Sequence, residues 1–308
     1  MIAPLSRWLL RLGRQSPSPP RSYLNQNFEQ IGEGQMIEEE HYLVISLHGS
    51  ILVRRHVALK VFIRSRSLST EAEHELNMYK RLDQGSSKHS GRDALRRLSV
   101  SFKISGPDGK RQCLVNSPLW HNMRTFLAIN PAGRLPKPVL LATLQRLFIA
   151  LDYMHNECNL IHTDVSATNI MFGFIDDLDP AFAEFEEENI RSPSPRKEVD
   201  GRFIYVSRDL GQPKGLGLPV LCDLGNVVDG QVKHIRDIQP DVYRSPEMIL
   251  GISWSYGIDI WNVGFMRASA PSRDDFYASP PLELIARGGH REKFFTEEGV
   301  YLESSHKS

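Results

Sequence analysis

The most constraining stretch of this 308-residue chain is a helix–loop–strand pattern between Val139 and Met171. Apolar residues fall at 140, 141, 144, 147, 148, 151 and 154, which is the spacing of one face of an α-helix. Pro136 and Pro138 open it, because proline in a first helical turn gives up no hydrogen bond. Behind it runs Ile161-His162-Thr163-Asp164-Val165-Ser166-Ala167-Thr168-Asn169-Ile170-Met171. Asp164 and Asn169 stand five residues apart in a loop closed by a short apolar strand. So placed they can face one cavity, where a carboxylate accepts a hydroxyl proton and an amide oxygen ligates a divalent cation. A plain helix–loop–strand connection reads the same way, so company is needed.

Three other segments supply it. Residues 42–63 are rich in β-branched and apolar types and read as strands around His48-Gly49-Ser50, with Val57-Ala58-Leu59-Lys60 inside the second. Thr70 and Glu73 form a capping-box pattern that opens a helix over Glu71–Leu82, which carries Glu75. Val220-Leu221-Cys222-Asp223-Leu224-Gly225 ends an apolar strand on an acid, a hard-cation ligand with glycine close behind. Residues 98–105 and 111–116 read as two more strands around a Gly-Pro-Asp-Gly turn. Each piece has a bland equivalent: an edge-strand lysine, a solvated helix face, a strand-ending turn.

Composition narrows the classes. With 41% hydrophobic residues the chain can bury a core, which excludes a mostly disordered chain and a small disulfide scaffold. Lys plus Arg and Asp plus Glu are 37 each, so the balance argues against a generic nucleic-acid or membrane-surface binder. No run approaches the length of a membrane span. Cys113, Cys158 and Cys222 fit neither a zinc site nor a disulfide framework, which points to a reducing compartment, cytoplasm or nucleus. Residues 1–28 carry Arg7, Arg11, Arg14 and Arg21 and no acid. They read as a disordered basic arm or, alternatively, a mitochondrial presequence. Residues 176–200, acidic at Glu184 and Glu186–Glu188 and then Ser-Pro-Ser-Pro-Arg-Lys, read as a polar, mobile insert.

In order, Val-Ala-Leu-Lys, helical Glu, His-x-Asp-x-x-x-x-Asn and Asp-x-Gly resemble the protein-kinase signature. Ser245-Pro246-Glu247 and Asp259-Ile260-Trp261-Asn262-Val263-Gly264 extend the likeness to residues 57–264. His162-Thr163-Asp164, Leu224, the insert and the run Gln239–Glu247 resemble the serine/arginine-rich-protein kinases, in particular their fungal relatives. The resemblance implies an α+β, two-lobed fold over residues 29–308, with a small β-rich lobe over about 42–116, a mainly helical lobe after it, and the nucleotide between them. It implies an ATP- and magnesium-dependent serine/threonine kinase, a monomer acting on protein hydroxyls, Arg/Ser-rich proteins among them, with no direct nucleic-acid or membrane partner. Lys60 would hold the α- and β-phosphates and pair with Glu75. Asp164 would take the acceptor proton, and Asn169 and Asp223 would hold magnesium. Asn116, Ser117 and Leu119 would line the adenine, Asp259 would brace the catalytic loop, and His162 would pack. Thr163 in place of the usual arginine implies activity without activation-loop phosphorylation.

Three departures leave a second reading open, a pseudokinase or binding module. Only Gly49 lies in the hairpin before Lys60, and Gly32-Glu33-Gly34 is a weak substitute for a glycine-rich phosphate loop. The sheet is therefore expected to be short by a strand. Ser166 stands where many serine/threonine kinases carry lysine. After Met266 the apolar helix pattern stops, so part of the helical lobe is expected to be absent and apolar surface exposed. A small-molecule phosphotransferase of the same fold is a third reading, disfavoured by the segments at 245–247 and 259–264.

Overall fold

The computed structural model describes residues 41–48, 54–62, 68–106, 109–176, 179–199, 202–206, 208–235, 237–239, 244–266, 281–293 and 295–296. The basic arm, Gly32-Glu33-Gly34, Gly49 and residues 267–280 lie outside them. Along the chain run β1 (His41–His48), β2 (Arg54–Val61), α1 (Leu68–Gln84), a 3₁₀ turn, β3 (Leu98–Gly106) and β4 (Gly109–Asn116). Next come α2 (Met123–Ile129), α3 (Lys137–Asp152), a π turn (Tyr153–Glu157), β5 (Leu160–Ile161) and β6 (Ile170–Phe174). Then follow α4 (Pro180–Arg191), β7 (Arg196–Val199), β8 (Arg202–Tyr205), β9 (Leu216–Leu221) and β10 (Val228–Asp229). The last helices are α5 (Pro246–Ile249), α6 (Gly257–Phe265) and α7 (Leu282–Arg287). No helix among the described residues is long and apolar enough to cross a membrane.

The chain divides into two units. One comprises Met1–Glu73, Leu98–Trp120 and Gly173–Gly217; the other comprises His74–Arg97, His121–Phe172 and Leu218–Ser308. The division thus groups the insert with the β-rich segment.

In the first unit the described strands form an antiparallel sheet in the order β1-β2-β4-β3. Alternation along β2 sends Val57, Leu59 and Val61 to one face, against Cys113, Val115, Val100 and Phe102. The opposite face carries His56, Ala58, Lys60 and, just past the strand, Phe62. Ala58, Lys60 and Phe62 are buried, so β2 is covered on both sides. Burying one Val or Leu side chain contributes about 1.5–3 kcal/mol, enough for this strip to fix the register. β2 lies between β1 and β4, which removes the edge-strand explanation of Lys60.

Much of the insert is the helix α4, where its composition suggests a loop. Asp179 caps α4, its Oδ1 accepting from Ala181 N–H at 3.0 Å and its Oδ2 from Lys214 N–H at 3.0 Å. Pro180 occupies the first helical position. Ala181 and Phe182 are buried; Phe182 stacks on His56 at 4.5 Å and packs on Phe174, also at 4.5 Å. His56 Nε2 meets Glu186 Oε1 at 3.1 Å. The helix presents one aromatic to the sheet and its acids largely to solvent, and those acids hid it in the composition.

In the second unit α3 buries Thr143, Leu147, Ala150 and Leu151, while Leu140, Leu141 and Phe148 are exposed. The apolar periodicity located the helix but not its buried face. α1 begins at Leu68, so Thr70 lies inside the helix rather than at its cap; the stripe Ala72, Met78, Tyr79, Leu82 is buried. β5 pairs with β10, and Ile161 and Val228 pack with Met248, Trp254 and Ile258. A smaller cluster joins Leu250 and Ile252 to Ile285 and Phe295. Between them Gly251 has φ +66°, and a Cβ there would come 2.9 Å from His290 Nδ1, so glycine is required twice over. Ile260 on α6 is half exposed, whereas Ile258, Asp259, Asn262 and Val263 of the same helix are buried.

Candidate active site

The loop after β5 is held by three kinds of contact. His162 is fully buried. Its Nε2 lies 3.0 Å from the Cys222 carbonyl and its Nδ1 accepts from Asp164 N–H at 3.3 Å, which fixes the proton on Nε2. The Asp259 carboxylate, at the start of α6 and fully buried, accepts from His162 N–H at 2.8 Å through Oδ2 and from Thr163 N–H at 2.7 Å through Oδ1. Two backbone donors are thereby satisfied where water is excluded, and these bonds carry a formal charge. Thr163 Oγ1 donates to the Asn226 carbonyl at 2.9 Å.

Backbone strain marks the same place. Thr163 has φ 71° and Asp223 φ 64°. A β-branched residue in the left-handed region is a genuine outlier, and such outliers cluster at functional sites.

Asn169 folds back on Asp164. Its Nδ2 donates to Asp164 Oδ2 and to the Asp164 carbonyl, each at 2.9 Å. Both amide protons are used, which leaves Oδ1 as the atom able to face a cation. Cys222 N–H donates to the Asn169 carbonyl at 2.7 Å, so the strand end that carries Asp223 is tied to the loop. Asp223 Oδ1 accepts from Gly225 N–H at 3.1 Å. A Cβ on Gly225 would lie 3.2 Å from that oxygen and 4.0 Å from Glu75 Oε2. The second unit therefore gathers Asp164, Asn169, Asp223 and Glu75, and glycine lets the carboxylates approach.

Burial pushes the Asp164 carboxyl above the ordinary carboxylate range; Asp223 and Asp259 add to this, while His162 and the Asn169 hydrogen bond oppose it. A base whose affinity for a proton is raised is better matched to removing one near neutral pH. The three cysteines are buried free thiols, and burial pushes Cys113 and Cys222 up to about 11, which keeps them inert.

In the first unit Lys60 is 1% exposed and its Nζ lies 5.0 Å from the Phe62 ring centroid. Asn116, the last residue of β4, is buried opposite Ala58; Ser117 is exposed and Leu119 half-buried in the irregular segment after it. These residues belong to the first unit.

Sequence reasoning missed His155. Its Nε2 meets Asp259 Oδ2 at 2.8 Å and its ring packs on Tyr256 at 4.9 Å, so the bracing carboxylate has a third donor. No periodic signal marks a histidine in a π turn; only its long-range partner does.

Magnesium fits the donor set. Among the described residues no cluster of three or more His, Cys, Asp or Glu side chains holds a metal by itself. A hard ion held by one or two carboxylates together with substrate phosphates needs none, and Asp223 with Asn169 Oδ1 is an all-oxygen pair of that kind.

A serine/threonine protein kinase of Aspergillus fumigatus is 35% identical over 291 residues, which span 83% of this chain and 69% of that one. The chain belongs to the serine/threonine protein kinases. No family model matches this kinase. Its relatives include the kinase SRPK of Physarum polycephalum, 25% identical over 285 residues (80% of this chain, 66% of that one). SRSF protein kinase 3 of Homo sapiens is 28% identical over 131 residues, 42% of this chain and 23% of that one. A crystallised kinase domain superposes with a TM-score of 0.61 at 19% identity, over 87% of this chain and 80% of the other. The fold is thus the protein-kinase fold, and the likeness to serine/arginine-rich-protein kinases extends to named relatives.

Proposed function

We propose that this kinase is catalytically competent and transfers the ATP γ-phosphate to serine and threonine hydroxyls of proteins rich in Arg and Ser. The observation that carries the proposal is the Asp164–Asn169 clamp, with one carboxylate oxygen fixed by an amide whose own oxygen is left for a cation. In this reading Asp164 orients the acceptor hydroxyl and takes its proton. Lys60, with Glu75 as its carboxylate, neutralises the α- and β-phosphates. Asn169 Oδ1 and Asp223 are the magnesium ligands, and the backbone of Asn116, Ser117 and Leu119 meets the adenine. Magnesium, when bound, supplies charge neutralisation on the phosphates, which is most of what phosphoryl transfer asks of an enzyme. Asp259 and His155 position the loop without touching substrate.

Incubation of the purified chain with Mg-ATP and an Arg/Ser-rich protein tests this. The expected result is phosphoserine in the acceptor, lost in Asp164→Asn. Incorporation unchanged in that variant overturns the assignment.

A pseudokinase reading has one observation in its favour. Ser166 is buried and hydrogen-bonds Thr168 Oγ1 at 2.8 Å, so no cation from this position reaches a transferred phosphate. Losing one such electrostatic donor weakens transition-state stabilisation by about 3 kcal/mol. That slows a kinase without abolishing it, and so we favour the active reading. Mg-ATP binding with no phosphate transfer to any protein would reverse that preference.

A further inference from the structure

The Ser-Pro-Ser-Pro-Arg-Lys run has no part in the chemistry above, yet the fold builds a receptor beside its first serine. Ser192 is exposed and ends α4, its N–H donating to the Glu188 carbonyl at 2.8 Å. Its own carbonyl accepts from Arg208 Nη2. The Arg208 side chain is only 21% exposed, and Nη1 lies 3.7 Å from Glu188 Oε2, a carboxylate that is itself 63% exposed. Arg208 is therefore a fixed guanidinium with donors to spare, next to an exposed hydroxyl. Arg191 adds a second, looser guanidinium, 4.0 Å from Glu187.

We propose that Ser192 is a phosphorylation site and that Arg208 holds the phosphate. Ser192 Oγ attacks the γ-phosphorus of ATP, the bond to the β,γ-bridging oxygen breaks, ADP leaves, and the hydroxyl proton passes to the base of the modifying kinase. Two charges meet the product. The C-terminal end of α4 disfavours an anion, weakly and within its last turn. A guanidinium–phosphate pair with two parallel N–H···O bonds is stronger, and a dianion displaces the distant Glu188 from Arg208. Arg208 follows the β7–β8 hairpin, whose base is already closed by Val206 N–H donating to the Pro195 carbonyl at 2.9 Å. The phosphate therefore staples the foot of this hairpin to the end of α4. The modifying kinase is either a separate one that takes serine before proline or this chain itself.

The test uses the full chain and its Asp164→Asn variant, each with Mg-ATP, alone and with a purified mitogen-activated protein kinase as a proline-directed probe. Phosphate is mapped by mass spectrometry, and trypsin then probes Arg196, Lys197 and Arg202. The expected result is phosphate on Ser192 and severalfold slower cleavage at those three residues. In Arg208→Gln the phosphate should still be added and the protection lost. Label without added kinase in the native chain but not in Asp164→Asn assigns the self source. Label only with added kinase assigns the separate one, and either supports the site. Ser192 unlabelled in every arm while Ser194 or a control Ser-Pro peptide is labelled overturns the proposal. So does phospho-Ser192 cleaved as fast as, or faster than, the unmodified chain.

Discussion

The acids assigned to the second unit and the lysine assigned to the first sit in different surroundings. In the second, Asp259 is fixed by donors from a distant stretch of chain, His155, His162 and Thr163, and Asp164 by Asn169 in its own loop. In the first, Lys60 is buried on a strand covered on both faces, with the Phe62 ring centroid 5.0 Å from its ammonium. A hydrogen-bonded site is exact but brittle, because each lost partner leaves a buried donor unpaired. At the packed lysine volume and charge can be separated, because methionine keeps the first and removes the second. The lesson is that a binding lysine and a catalytic acid in one enzyme should fail differently when mutated.

The largest expected effect is on catalysis. Asp164→Asn should lower the rate of phosphate transfer about a thousandfold, as removal of a general base does, measured by radiolabel incorporation. Lys60→Met comes next, with a loss of about a hundredfold. The side-chain volume is kept, so the cost to the fold, about 3 kcal/mol by urea titration, comes from the buried Glu75 carboxylate left without its cation. Asp259→Asn sharpens the contrast: an amide nitrogen would face one or two of the three donors, destabilising the chain by about 2 kcal/mol. If Lys60→Met costs no stability, Glu75 is not the partner of Lys60; if Asp259→Asn costs none, Asp259 does not brace the loop.

The smallest effect is the most diagnostic. The folded chain binds a proton at Asp164 more readily than the unfolded chain does, since burial raises that carboxyl. Its contribution to stability is therefore present at low pH and lost as pH rises through the folded value. At pH 7 Asp164→Asn should melt slightly above the native chain, and the gap should close as pH falls into the ordinary carboxylate range. A gap that widens on acidification would contradict the burial of the charge.

Local patterns were legible in the sequence, and long-range ones were not. The strands around Lys60, the helix before Asp164 and the strand before Asp223 follow from two- and four-residue periodicities. The bracing of His162 by Asp259 was suggested only by resemblance. The contact of His155 with that same carboxylate joins residues 104 apart and left no trace in spacing. The insert was misread because its charge dominates its composition, although Asp179-Pro180 is an ordinary helix start and Phe182 an ordinary anchor. The exposed Leu140, Leu141 and Phe148 show the converse error: an apolar stripe marks a helix, but neighbours decide which part of it is buried.

The most direct test of the nucleotide site on which both assignments depend is thermal unfolding of the purified chain with Mg-ATP, with ATP plus chelator, and without ligand. A ligand at 100 times its dissociation constant adds about 2.7 kcal/mol to the folded state. A cooperative transition that moves up with Mg-ATP alone, and does so less in Lys60→Met, is the predicted result. A cooperative transition that Mg-ATP does not move would mean a folded chain that binds no nucleotide, and would contradict the account.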